Sequence, residues 1–252
     1  MFDTRQAKTL TWIRLTPLAD LEKVSAVELL AWAIASFGQR FGIATSFQKE
    51  GMVLIDMAVR IDSRVRVFTL DTGRLPQETF QMIETVRQRY GIAVEVVGPD
   101  AAEVSRMVTG HGPNLFHQSE ELRRLCCEVR KTRPLELKLA EFRAWATGLR
   151  RGQSADRFGI GKVQETGGKI KLNPLADWTD IEMEEYSRRH LVPVHPLYAV
   201  GYASIGCAPC SRAIEAGEDR RAGRWWWESA GQKECGIHFL PDGSVRRLIS
   251  GH

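Results

Sequence analysis

An α/β fold with a doubly wound, mostly parallel sheet and a mobile C-terminal tail is what this sequence predicts. Three observations carry the prediction. Apolar, β-branched runs alternate with helical-period stretches between residues 25 and 100, the pattern of successive βαβ units. The strand-like runs end in short polar loops, Ser46 to Gly51 and Asp71 to Gly73. Beyond residue 203 the alternation stops and Gly, Arg and Trp dominate.

The elements follow in order. Ser25-x-x-Glu28 is a capping-box pattern ahead of Leu30, Ala33, Ile34 and Phe37 at helical spacing. Gly42 to Phe47 reads as a strand and Met52 to Val59 as an apolar helix. Val65 to Leu70 is the next strand. Pro76 suits the first turn of a helix that presents Phe80, Ile83, Val86 and Tyr90 and closes at Gly91. A third strand runs from Ala93 to Val97. Thr132 to Phe142 reads as a helix with Pro134 in its first turn, and Ala144 to Leu149 as a strand delivering Arg150 and Arg151 to its end. Lys169 to Pro174 is one arm of a hairpin turning at Gly167-Gly168. Thr179-x-x-Glu182 caps a helix carrying Ile181, Tyr186 and His190; His190 and His195 read as structural.

With 252 residues and 43% hydrophobic content the chain can bury a full core. It divides into an α/β nucleotide-binding domain, 1–203, and a segment, 204–252, with a second cysteine pair, an Arg/Trp stretch and a catalytic tail. The start lacks the apolar core of a signal peptide, and the longest apolar run, Leu29 to Phe37, is too short to span a membrane. A soluble, cytoplasmic protein is expected, with no membrane partner. The net charge of +4 hints at an anionic ligand but lacks the basic stripe of a nucleic-acid binder.

The chemistry lies in the cysteines. Cys126 and Cys127 are adjacent and run into Arg130-Lys131; Cys207 and Cys210 form a second pair; Cys235 stands alone. Thiolates suit zinc and iron–sulfur centres. Adjacent cysteines do not fit the two-to-four-residue spacing of zinc ligands, so a [4Fe–4S] cluster is favoured over zinc. Four inert buried cysteines are the plain alternative. A disulfide framework fits least, because so long a chain needs no staples. At the strand ends, Ser46 and Leu70 border a nucleotide pocket beyond the carboxyl edge of the sheet. The forks of Arg150 and Arg151 match phosphate or sulfate. Arg220, Arg221 and Arg224 beside Trp225-Trp226-Trp227 look like an anion clamp with an aromatic wall, of which at least one tryptophan packs against the sheet.

These motifs together resemble the assimilatory adenylyl-sulfate (APS) reductases, within the group that also holds the PAPS reductases. The matching stretches are Cys126-Cys127-x-x-Arg130-Lys131-x-x-Pro134-Leu135, Gly148-Leu149-Arg150-Arg151-x-Gln153-Ser154, Asn173-Pro174-Leu175-Ala176-Asp177-Trp178, Cys207-x-x-Cys210, Arg221-Ala222-Gly223-Arg224-Trp225-Trp226 and Glu234-Cys235-Gly236-x-His238. The resemblance implies an adenine nucleotide α-hydrolase-like fold and one [4Fe–4S] cluster held by Cys126, Cys127, Cys207 and Cys210. It implies Cys235 as the nucleophile and reduced thioredoxin as the electron donor, and a homo-oligomer is in keeping with the family. Lys131, Arg221, Arg224 and His238 would neutralise the phosphosulfate of APS. The chain departs from relatives that follow the first strand with small residues such as Ser-Gly-Ala: it carries Gln48-Lys49-Glu50-Gly51. PAPS or dual APS/PAPS reduction, a cluster-bearing tRNA-thiolating enzyme and a zinc-stabilised binding module are the rival readings.

Overall fold

A computed structural model of the protein describes residues 17–154 and 157–228. Six strands form one sheet: β1 (Phe41–Thr45), β2 (Arg66–Leu70), β3 (Val94–Val97), β4 (Ala144–Ala146), β5 (Val163–Thr166) and β6 (Lys169–Leu172). Their order is β3-β2-β1-β4-β6-β5. All neighbours are parallel except the β5/β6 hairpin. Chain order therefore reverses between β1 and β4, which opens a crevice at their carboxyl ends.

The helices are α1 (Ala26–Phe37), α2 (Lys49–Ile61), α3 (Gln77–Tyr90), α4 (Ala101–His111), α5 (Glu120–Cys127), α6 (Arg133–Leu139) and α7 (Asp180–His190). Ser25 and Thr179 close capping boxes on α1 and α7, as their spacing predicts. Gly91 ends α3 in the left-handed conformation. α2 is the central helix, buried without interruption from Glu50 to Ala58. Leu29, Ala33, Met52, Val53, Met82 and Val86 share the main core with Ile43 and Val67 of the sheet. On another face, Leu135 and Leu139 of α6 pack with Phe68, Phe142 and Trp145.

The structure departs from expectation in three places. β4 stops at Ala146, so Thr147 to Leu149 form a loop rather than strand and line the crevice. α4 and α5 were not predicted; α5 is short and polar, with a single apolar face to reveal it. Within the segment expected to be a mobile tail, Ile205, Cys210, Ser211, Arg224 and Trp225 are buried, whereas residues 215–217 are exposed. Trp225 is 1% exposed and shares a small core with Cys210, Val129 and Phe116. Among the described residues no helix is long and apolar enough to cross a membrane.

Candidate active site

The crevice is a cleft of about 540 Å³. Its floor is the carboxyl edge of the sheet: Thr45 and Ser46 at the end of β1, Leu70 at the end of β2, Thr147 and Gly148 after β4. The chain turns sharply into α2 here. Phe47 takes a left-handed φ of 55°, and its N–H donates to Thr45 Oγ1 at 2.9 Å. The first turn of α2 borders the cleft, and a helix N-terminus there attracts anions. Close packing demands glycine nearby: a Cβ on Gly148 would lie 2.6 Å from Glu50 Cβ and 3.1 Å from the Gly51 nitrogen.

One wall holds the cysteines. α5 runs through Cys126 and Cys127 into a π-helical turn, Glu128–Thr132, and then α6. The wider turn rotates the following side chains relative to the helix before it. Lys131 thereby joins Cys127 on the cleft lining, while Arg130 is buried and donates from Nη1 to the Thr72 carbonyl at 2.8 Å. The second pair caps a single 3₁₀ turn, Ala208–Cys210, tied to the Arg74 carbonyl by the Ala208 N–H at 2.8 Å. Cys207 and Cys210 also line the cleft. Thr72 Oγ1 lies 3.2 Å from Cys207 Sγ. Burial pushes the Cys126 thiol up; Arg130 pulls it down and neighbouring Cys207 pushes it up again. Residues 80 positions apart in the chain thus meet on one wall. Among the described residues, no three histidine, cysteine or acidic side chains are arranged to hold a single metal ion.

The other cations follow. Arg221 and Arg224 line the cleft. Arg224 is buried, donates from Nε to the Cys210 carbonyl at 3.2 Å, and lies with Arg123 over the Trp225 ring at 4.7 and 4.5 Å. Gly206 leaves room for it: a Cβ there would stand 2.5 Å from Arg224 Cζ. Gly206→Ala is therefore expected to push the guanidinium aside while the fold survives, because the obstacle is the end of a flexible side chain. Affinity for an anionic nucleotide should fall by about tenfold with an unchanged melting temperature, as titration calorimetry and thermal unfolding would record.

Of the residues singled out from sequence, Ser46, Leu70, Lys131, Arg221 and Arg224 share the cleft with Cys127, Cys207 and Cys210. Arg150 and Arg151 do not line it. Arg150 is 2% exposed and bonds Glu50 and Asp180; Arg151 donates to the Ile160 carbonyl and faces Glu22. The short β4 and the loop after it turn these forks inward, against buried or neighbouring acceptors. Cys235 and His238 lie outside the described residues. Both histidines read as structural sit in the fold: His195 is buried, with Nε2 at 3.1 Å from Thr79 Oγ1 and Nδ1 accepting the Leu197 N–H, and His190 stacks on Tyr186.

Sequence reasoning missed Arg157 and Lys171, which also line the cleft. The signal for Lys171 was present: in Lys169 to Leu172 polar and apolar residues alternate, so the lysines share one face. Burial and the charge of Arg157 push Lys171 down to about 8.

The phosphoadenosine phosphosulfate reductase domain matches residues 40–213. The chain belongs to this family. Within it the chain groups with the adenosine 5′-phosphosulfate reductases. Proteins of that name from Burkholderia cepacia and Allochromatium vinosum are 46% and 44% identical to it. The first match covers 92% of this chain and 93% of the relative; the second covers 86% and 85%. The fold is also that of a phosphoadenylyl-sulfate reductase from Candida auris, with a TM-score of 0.65 and 23% identity over 84% of this chain and 99% of that one. The family match spans the sheet, the first cysteine pair and the second, and stops just short of the Arg/Trp stretch.

Proposed function

We propose that this protein reduces adenosine 5′-phosphosulfate to sulfite and AMP for sulfate assimilation and cysteine biosynthesis, with reduced thioredoxin as the electron donor. The observation that carries the reading is the meeting of Cys127, Cys207 and Cys210 with Lys131, Arg221 and Arg224 in a nucleotide-sized cleft. The purine end suits the apolar floor at Leu70, Phe68 and Leu149. The phosphosulfate end suits the cations, beside the α2 N-terminus.

A [4Fe–4S] cluster fits the residues present. Cys207 acts on Cys126 across the wall, and Cys127, Cys207 and Cys210 line the same cleft. Among the described residues the indole Nε1 of Trp225, packed with Cys210, is buried without an acceptor, and the Thr72 hydroxyl lies 3.2 Å from Cys207 sulfur. Cluster sulfurs accept such bonds. Cys126, Cys127, Cys207 and Cys210 would hold the cluster; it would supply negative charge that orients Lys131, and no electron need pass through it.

In the reaction the Cys235 thiolate attacks the sulfur of the sulfonyl group. The new S–S bond forms as the S–O bond to phosphate breaks, and AMP leaves with that electron pair. Lys131, Arg221, Arg224 and His238 stabilise the charge growing on the leaving phosphate. A thioredoxin thiolate then attacks Cys235 sulfur and expels sulfite. The second thioredoxin thiol resolves the mixed disulfide, frees Cys235 and leaves oxidised thioredoxin, so the two electrons balance. Action in the cytoplasm, a homo-oligomeric assembly, and a division near residue 203 between the nucleotide-binding part and the catalytic segment complete the reading.

The deciding measurement is sulfite release from APS under reduced thioredoxin, with PAPS in a parallel arm. Turnover of APS well above PAPS is expected; a strong preference for PAPS overturns the substrate choice. A pH effect also follows. Lys171 is charged below about 8 and neutral above it, and a bound phosphate favours the charged form. AMP affinity should be flat below that value and fall above it, with proton uptake on binding near pH 8 in calorimetry; uniform affinity to about pH 9 would detach Lys171 from the nucleotide.

A further inference from the structure

Arg220 also lines the cleft, one residue before Arg221. It donates from Nη1 to both carboxylate oxygens of Asp180, at 3.2 and 3.1 Å. Among the described residues, its Nε and Nη2 have no acceptor. Asp180 is itself held: its Oδ1 accepts from Arg150 Nη2 at 2.6 Å. Arg150 in turn donates to Glu50 Oε1 at 3.0 Å and to the Trp178 carbonyl at 2.9 Å. Four charges thus alternate in sign from the first turn of α2 to the cleft wall.

The chain is rigid at its inner end and open at its outer end. Arg150 is 2% exposed and Glu50 7% exposed. Buried charges persist only when paired, and separating them would leave a bare carboxylate beside the helix N-terminus that faces the cleft. Arg150 therefore stays, and it fixes Asp180 at the first residue of α7. Arg220 is half-exposed, with a side chain free to swing but for this one tie. Holding a guanidinium by one nitrogen orients the remaining edge, and an oriented edge is what a phosphate or sulfate group recognises. Arg150 also cancels the charge of Glu50, which would otherwise repel an anion from the cleft.

We infer that Arg220 binds an oxyanion of the nucleotide substrate directly through its Nε/Nη2 edge, and that Asp180 is the residue that positions it. The inference rests on the cleft being the APS site. Arg220 belongs to the same segment as Arg221 and Arg224, so the Asp180 tie also docks that segment onto the α/β body.

The test is calorimetric binding of APS and AMP, with steady-state kinetics, on the cluster-loaded full chain. Arg220→Gln is expected to raise the APS Kd and KM by about tenfold with a smaller change in kcat, since uniform binding is lost. Visible absorbance and iron content should not change. Asp180→Asn should raise Kd several-fold in the wild-type background and have no further effect in Arg220→Gln, while Asp180→Glu restores affinity. An Arg220→Gln protein that binds APS within about twofold of wild type overturns the inference, as does an Asp180→Asn penalty of equal size in both backgrounds. Should Asp180→Asn fail to fold, Arg220→Lys decides: it keeps charge but loses the fork, and affinity equal to wild type overturns the directed edge contact. A wild type that binds neither APS nor AMP overturns the proposed function along with the inference. A wild type that binds both while Arg220→Gln is unchanged overturns the inference alone.

Discussion

Cys235→Ser is expected to abolish turnover, by roughly 10⁴-fold or more, as loss of an enzyme nucleophile does. The physical reason is protonation: a thiol near cations is partly thiolate at neutral pH, whereas a serine hydroxyl is almost wholly protonated. The variant should keep its colour, iron content and affinity for APS, because the four other cysteines and the cations of the cleft wall are untouched. Intact-mass measurement after mixing with APS, without thioredoxin, is the direct check. Wild type should gain the mass of one sulfonate, mapped to Cys235 and discharged by reduced thioredoxin. Cys235→Ser should gain nothing. A sulfonate on any other cysteine, or normal turnover of the variant, would falsify the mechanism even if the family assignment stands.

The second large effect is on the paired cysteines. Serine at Cys126, Cys127, Cys207 or Cys210 is expected to lower iron content and activity together, to a few per cent of wild type or below. Losing one thiolate exposes an iron, and the metal is part of what folds the loops around it. The two pairs sit on different elements, α5 and the 3₁₀ turn at Ala208–Cys210, so the cluster would staple the segment from Ile205 to Glu228 onto the body. Thermal stability should fall with iron content in all four variants. Zinc in place of iron in anaerobically purified wild type would turn the reading toward a structural zinc site. Full iron in one variant would remove that residue from the ligand set.

Much of this was legible in the chain alone, for reasons that differ by residue. The capping boxes at Ser25 and Thr179 were readable because the interaction is local, three residues apart. The strands β1 and β2 were readable because burial on both faces leaves near-continuous apolar runs, and the partly exposed β3 because it is rich in valine. The cysteine pairs declared a soft centre because softness is a property of sulfur and not of the fold. Family membership rests on the same footing, since motif types and spacings survive without coordinates.

What Arg150 and Arg151 hold was not legible, because a guanidinium beside a glycine-rich loop has the same signature whether it binds substrate or pins the loop. The choice depends on where Glu50, Asp180 and Glu22 lie, and Asp180 is thirty positions away in sequence. That a tryptophan packs was expected; that it is Trp225, against Cys210, Val129 and Phe116 rather than the sheet, was hidden because a Gly-punctuated, aperiodic segment carries no local record of its partners. Sequence by itself determined the α/β class, the capped starts of α1 and α7, the thiol chemistry and the kinship, all local or compositional properties. Tertiary structure alone decided that Cys126 meets Cys207, that Lys131 turns into the cleft through a π-helical turn, and that Arg150 serves Glu50 and Asp180. Those are pairings between distant segments, set by the burial of charge and apolar surface over the whole molecule.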